Sequence, residues 1–398
     1  MRGFINSSRV IAGAAVIAPL LSVYAPMGFA PLVGLAAVLG LVCRFYLGDR
    51  TAIVLPRGLI VVLTAFVVFA ALSAFWSIDR GTSLARFHRL VLILASGIVF
   101  IGVAMATGAE ARAGLARWAI PGFIAAMVVL AVERATGGVF VSLHSPPGDF
   151  NQFVNQFNRS VSVCAILVWP VVCMAARIRA IYGAALAATL FGLLFAFNSS
   201  AALAAMAVGA AAFGLVRLAP KTAGIGLGVV LSLSVLASPF LIRSLPPPKE
   251  VFDTLPIPRS SYHRLLVWDF SVGRTMERPI LGWGFDSSRV MPGGHKQLDA
   301  SEPALPLHPH NGALQLWLEL GLIGALFGAA VTALAAETIR RRAADRLAQA
   351  SASATLASAM VVICVSYGIW QTWWLAALST ATVFAVAACG RPPVRNAA

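Results

Sequence analysis

Apolar residues in this chain fall in long blocks separated by short polar breaks. Blocks of spanning length cover 10–24, 29–47, 58–76, 89–107, 115–132, 160–176, 180–197, 199–218, 222–242, 311–334, 355–371 and 374–389. A helix needs about twenty mostly apolar residues to cross a bilayer. The pattern therefore predicts an all-α, polytopic membrane protein with about 12 transmembrane helices. The first block has no convincing cleavage site and a second follows at once, so it reads as a retained span and not a signal peptide. The chain divides into an N-terminal bundle of about nine helices (1–243), a large loop (244–310) and about three C-terminal helices (311–398).

The loop is the only piece of soluble size. It opens with Pro246, Pro247, Pro248, Pro256 and Pro258, an extended lead-in that should not be helical. Residues 262–277 turn helical until Pro279, with Arg264, Trp268 and Ser271 on one face, and predict an interfacial helix lying against the bundle. Gly282, Gly284, Gly293 and Gly294 mark turns. In the helix that follows, Asn311, Gln315 and Glu319 form a polar stripe that should face protein, while Gly321, Gly324 and Gly328 should permit close helix contact.

Composition agrees: 59% of the 398 residues are hydrophobic and 11% charged, more apolar surface than a soluble core needs. The net charge of +15 could suggest nucleic acid, but the basic residues are scattered between apolar blocks, as loop charges that set membrane orientation are. Alternating the loops places basic groups such as Arg340, Arg341, Arg342 and Arg346 inside, and leaves the short outer loops with Arg80, Arg86, Arg89, Arg134 and Arg159. Both termini are then cytoplasmic, and all six histidines lie outside. The five cysteines sit in or at the ends of apolar blocks without a C-x-x-C, which indicates small core residues and neither a disulfide framework nor a zinc site.

Chemistry concentrates just before the tenth block, in His308-Pro309-His310-Asn311. Pro309 stiffens the backbone between the imidazoles, and Asn311 suits an N-cap. The pair could be ordinary loop histidines, two ligands of a metal site with Asp299 and Glu302 nearby, or a base with an orienting neighbour. Arg80, Arg86, Arg89 and Arg159 lie outside against the charge rule, either as lipid-headgroup contacts or as groups that meet an anionic substrate. Glu319 stands two turns beyond His310, about 12 Å along a helix axis, which favours a structural role.

Two blocks carry a family resemblance. Arg264, Trp268, Pro279, Gly282 and Gly284 fit Arg-x-x-x-Trp followed by Pro-x-x-Gly-x-Gly, and His310-Asn311 followed by Glu319, Gly321 and Gly324 fits His-Asn before a helix ending E-x-G-x-x-G. The loop thus resembles the O-antigen ligase and polymerase superfamily, with LSAFWS at 72–77 a weaker echo of the ligases. The resemblance implies a glycosyltransferase class C type fold with one large periplasmic loop. It implies a bacterial inner-membrane enzyme, metal-independent and without a cofactor, that transfers a preassembled glycan from undecaprenyl pyrophosphate to a lipid A-core or other glycan hydroxyl. It also implies a catalytic base at His310, with His308 as a second possibility or orienting neighbour, and a phosphate contact at Arg264; Arg80, Arg86, Arg89 and Arg159, by their position against the charge rule, and Trp268 and Asn311, from the matching blocks, are further candidates for substrate binding. One departure is Asn198 to Ala202, where many relatives carry Ser-Arg and this chain has no arginine. A polymerase or a protein O-oligosaccharyltransferase would use the same donor chemistry. A transporter would predict paired halves and broken helices with charges at midmembrane, and no half-to-half similarity is evident.

Overall fold

The computed structural model describes residues 6–46, 55–143, 150–299 and 302–389. The chain runs through α1 (Ser7–Tyr24), α2 (Phe29–Tyr46), α3 (Arg57–Leu72), α4 (Arg80–Ala106), α5 (Ala109–Thr136), α6 (Phe150–Gln156), α7 (Asn158–Ala176), α8 (Ala180–Ala196), α9 (Ser200–Leu218) and α10 (Pro220–Arg243). It continues through α11 (Pro248–Thr254), α12 (Arg259–Glu277), α13 (Gly312–Arg342), α14 (Arg346–Val365) and α15 (Thr372–Ala388). The all-α membrane architecture is as expected, apart from a two-stranded ladder of Gln297–Asp299 with Glu302–Pro303. Ten helices among the described residues are long and apolar enough to cross a membrane, and α8 and α15 are apolar helices of 17 residues.

The bundle is built around α7, whose residues from Ser160 to Ala175 are all buried. It packs against α1, α8, α9, α14 and α15. Within this core Trp169 Nε1 donates to Ser358 Oγ at 2.8 Å and Ser358 Oγ donates to the Ala205 carbonyl at 2.7 Å. These bonds occupy polar groups that would otherwise face hydrocarbon.

Several boundaries differ from the sequence reading for identifiable reasons. The block at 355–371 was expected to be helical throughout, but α14 ends at Val365 and residues 366–371 form a strap across the end of the bundle. The proline lead-in is not uniformly extended: Pro248 opens α11, where a missing N–H costs nothing and the fixed φ suits the first turn. The interfacial helix starts earlier than expected, at Arg259 after Pro258.

Gly321 does more than permit a close contact. Its φ of 64° and ψ of −160° break α13, and the freed backbone groups pair with the turn of the loop at 279–284. Trp283 N–H donates to the Leu318 carbonyl (3.0 Å) and Gly284 N–H to that of Glu319 (2.7 Å), while Leu322 N–H donates to the Pro279 carbonyl (2.8 Å). A Cβ on Gly321 would lie 2.2 Å from the Ile280 carbonyl oxygen, and one on Gly282 would lie 2.4 Å from the Glu319 carbonyl carbon. On its far side the same stretch meets 73–78: Phe285 N–H donates to Ser73 Oγ (2.9 Å) and Trp76 Nε1 to the Leu281 carbonyl (3.1 Å). The three sequence blocks therefore form one clasp. Gly321→Ala should destabilise the protein by about 1–3 kcal/mol or more, the usual cost of forcing a side chain into such a backbone conformation. Gly328→Ala, where a Cβ meets the flexible end of Leu316, should cost less. Thermal unfolding of the two variants in detergent, side by side, measures the difference.

Candidate active site

Five junctions meet at one end of the bundle: α6 to α7, α8 to α9, the start of α12, the stretch before α13, and the strap between α14 and α15. They enclose a cavity of about 660 Å³ lined by Arg159, Arg259, Arg264, Asn155, Asn158, Asn198, His308, His310, Tyr367 and Gln371 among others. Among the described residues, three that line it are arginines and none is Asp or Glu. Two helix starts also face it. Ser200 and Ala201 begin α9, and Arg259, Ser260 and Ser261 begin α12; neither helix has a side-chain cap bond on its first N–H groups. Helix N-termini carry partial positive charge, so backbone and side chains present the same sign.

Arg264 is half-buried on the first turns of α12, and no carboxylate among the described residues pairs with it. Burial pushes its guanidinium down from the ordinary arginine range, opposed by the Tyr367 phenol. Tyr367 is itself pushed up to about 12 by burial, against the Ser162 hydrogen bond and the charges of Arg159 and Arg264. Its hydroxyl donates to the Asn158 carbonyl at 3.0 Å. Arg159 lies 5.8 Å from the centre of the Trp373 ring.

The two histidines differ in setting. Their rings stand 4.4 Å apart. His308 Nδ1 accepts the His310 backbone N–H (3.1 Å), so in the neutral ring Nε2 carries the proton, 3.0 Å from the Gln371 side-chain amide. Trp373 Nε1 donates to Gln371 Oε1 at 2.8 Å. An imidazolium would set a second proton against the His310 N–H. Burial, His310 and Arg289 together pull His308 down to about 3, too weak for a base near neutral pH. His310 has Nδ1 at 2.8 Å from the Ser366 carbonyl, which can only accept, so Nδ1 carries the proton and Nε2 is the acceptor nitrogen. His310 holds this position with φ of 53°, and Trp268 Nε1 donates to the adjacent Pro309 carbonyl at 2.9 Å.

Of the residues singled out from the sequence, the fold brings His308, His310, Arg264 and Arg159 into the cavity lining. Trp268 braces the His-Pro-His turn, and Asn311 caps α13 by accepting from Leu314 N–H (3.0 Å). Arg80, Arg86 and Arg89 lie outside the lining: Arg80 donates to the Phe75 carbonyl and Arg86 pairs with Asp286 at 3.2 Å. Asp286 also pairs with Arg289 at 3.0 Å; burial raises its carboxyl, and Arg289 and then Arg86 oppose that. Among the described residues no group of three or more His, Cys, Asp and Glu is placed to hold a metal ion. The side chains of Asp299 and Glu302 lie outside those described, as does His144.

Sequence reasoning missed Arg259, Asn158, Ser366, Tyr367 and Gln371. Pro258 followed by Arg259-Ser260-Ser261 is a legible helix start and could have revealed the first. The strap residues sat inside an apolar block and gave no comparable signal.

One polar cavity thus gathers arginines that no carboxylate among the described residues pairs with and a histidine whose Nε2 is the acceptor nitrogen. Comparison with known proteins shows what the chain is similar to. Residues 184–328, which run from α8 through the broken helix and include both motif blocks, match the family described as O-Antigen ligase. A protein of Rickettsia conorii provisionally named a polysaccharide ligase is 25% identical over 318 residues, covering 78% of this chain and 75% of that one. A Rickettsia prowazekii protein of the same provisional name is 25% identical over 317 residues, 78% and 76% of the two chains. One from Rickettsia bellii is 34% identical over 126 residues, 29% of each. These similarities bear out the resemblance to the O-antigen ligase superfamily and the reading of the chain as a membrane enzyme.

The depressed His308 makes a pH prediction. The unfolded chain takes up a proton near 6.5 and the folded protein near 3, so between those values the unfolded state binds more protons and stability falls as pH drops. His308→Gln should flatten that acid-side decline, as followed by thermal unfolding from pH 7 to pH 4.

Proposed function

We propose that the chain transfers a preassembled glycan from undecaprenyl pyrophosphate to an acceptor hydroxyl, on the periplasmic face of a bacterial inner membrane with both termini cytoplasmic. The observation that carries this reading is the cavity that holds three arginines, and no carboxylate among the described residues, beside the acceptor nitrogen of His310. Pyrophosphate is already a good leaving group, so the site needs positive charge to hold it and a base for the incoming hydroxyl, and no general acid. Arg264, Arg159 and Arg259 meet the first need, because a guanidinium stays charged and pairs bidentately with phosphate oxygens. The start of α9 adds backbone N–H groups where relatives place an arginine after serine.

In the reaction the acceptor O–H gives its proton to His310 Nε2 as its oxygen attacks the anomeric carbon. The bond from that carbon to the pyrophosphate oxygen breaks, the leaving charge stays with the arginines, and the anomeric centre inverts. Nδ1–H bonded to the Ser366 carbonyl steadies the imidazolium that forms. His308 is a positioning neighbour, since its Nδ1 receives the His310 backbone N–H. His310→Ala should cut transfer by about 10²-fold or more with protein level unchanged, and a variant of near-normal turnover would remove it from the mechanism. Arg264→Lys, which keeps charge but not the planar fork, should also lose activity and Arg264→Ala more, whereas added chelator should change nothing.

We read the acceptor as lipid A-core. The 72–77 echo of the ligases and the provisional ligase names of the relatives favour this over a polymerase. In a deletion strain the core should lack O-chains while long chains build up on the lipid carrier, visible on a lipopolysaccharide gel. A core that carries a single repeat unit indicates a polymerase. An unchanged ladder with loss of another surface glycan points to an exopolysaccharide or protein acceptor.

A further inference from the structure

Glu319 is fully buried and touches neither histidine, yet it joins the parts of the site that do. Its Oε1 accepts from Ser288 Oγ (2.5 Å) and Gln315 Nε2 (2.8 Å), and its Oε2 from Asp286 N–H (2.6 Å) and Trp370 Nε1 (2.5 Å). Every one of these neighbours donates, so both oxygens must accept, and the carboxylate alone among side chains of this size can do that. The donors come from three separate stretches: the loop after Gly284, α13 itself, and the strap. Gln315 turns its other end to the strap as well, where Oε1 accepts from Ile369 N–H at 2.9 Å. The strap in turn provides the Ser366 carbonyl to His310 and the Gln371 amide to His308.

We propose that Glu319 is a positioning residue for His310, acting through the strap to hold the Ser366 carbonyl against Nδ1 and so keep the Nε2 lone pair aimed into the cavity. The proposal rests on His310 being the base. A purely structural carboxylate that stitches α13 to the loop would need all its bonds equally. A positioning carboxylate needs the bonds to the strap most. The two can be separated because the bonds fall on different residues. Trp370→Phe removes the strap bond and keeps a ring to pack on Phe66 and Phe285, whose rings lie 5.9 and 4.9 Å away. Ser288→Ala removes a loop bond and leaves the strap attached.

The experiment compares Glu319→Gln, Trp370→Phe and Ser288→Ala in the full-length protein. Turnover is measured in membranes with a polyprenyl-pyrophosphate glycan, and the His310 tautomer by ¹⁵N resonances of histidine-labelled protein in detergent without substrate. Glu319→Gln and Trp370→Phe should lower turnover on the order of 10- to 100-fold, as small misplacements of a reacting group do, with little change in donor KM and with the Nδ1-protonated form no longer dominant. Ser288→Ala should keep both near the parent protein. Trp370→Phe with parental turnover and tautomer overturns the proposal. So does a Ser288→Ala loss equal to that of Glu319→Gln, with all three variants following their thermal stability. His310→Ala in the same assay separates the two levels: full activity there removes the base and the positioning role with it. Inactive His310→Ala beside fully active Trp370→Phe and Glu319→Gln sinks the positioning role alone.

Discussion

The arrangement depends on a helix that is broken so that another strand of chain can complete it. At Gly321 the backbone of α13 leaves helical geometry, and carbonyls and N–H groups that would be stranded are taken up by residues 279–284. In a bilayer an unsatisfied peptide group costs several kcal/mol, so neither partner is tolerable alone. The helix needs the loop to satisfy its break, and the loop needs the helix to pair backbone groups its own turn leaves over. This mutual requirement fixes a long loop against the bundle. The turn at 73–78 closes on the same stretch from the other side and leaves it little room to move.

From that anchor the site follows by electrostatics. Charged groups inside the bundle end are either compensated or left as a ligand's counter-charge. Asp286 is compensated twice, by Arg86 and Arg289. Glu319 is compensated by four donors and no cation. Arg264, Arg159 and Arg259 are not compensated by any carboxylate among the described residues, and they share one cavity with two helix N-termini. On the proposed function, these uncompensated cations are what the anionic donor meets.

Much of this was legible in the sequence, though unevenly. Uninterrupted apolar blocks declare themselves, and the helices fell where the blocks lay. The His-Pro-His-Asn cluster and Arg264 were readable because polar chemistry beside a span needs a reason. Other features were hidden for physical reasons. Residues 366–371 lie in an apolar block, and in the fold they bond to Gln315, Glu319, His310 and Asn158 instead of continuing the helix. Gly321 reads as a small contact residue, because composition does not report φ. Arg86 was visible as an odd outer charge, but its partner Asp286 lies far along the chain, and pairing at such separation leaves no local pattern. Arg259 was lost because Pro258 looked like the end of a lead-in when it was the start of a helix.

Among the described residues, the non-glycine positions with positive φ are Asn198, Asp286 and His310. Two line the cavity and the third adjoins Glu319. A side chain in that region carries a conformational penalty that glycine does not. Glycine at position 198 or 310 would relax the backbone while erasing the polar group, so the chain could gain stability there only by surrendering its chemistry. Selection for robustness and selection for turnover therefore pull in opposite directions at these few residues. On the proposed mechanism, a stabilised form of this enzyme, raised by screening for thermal tolerance alone, would arrive first at an inert one.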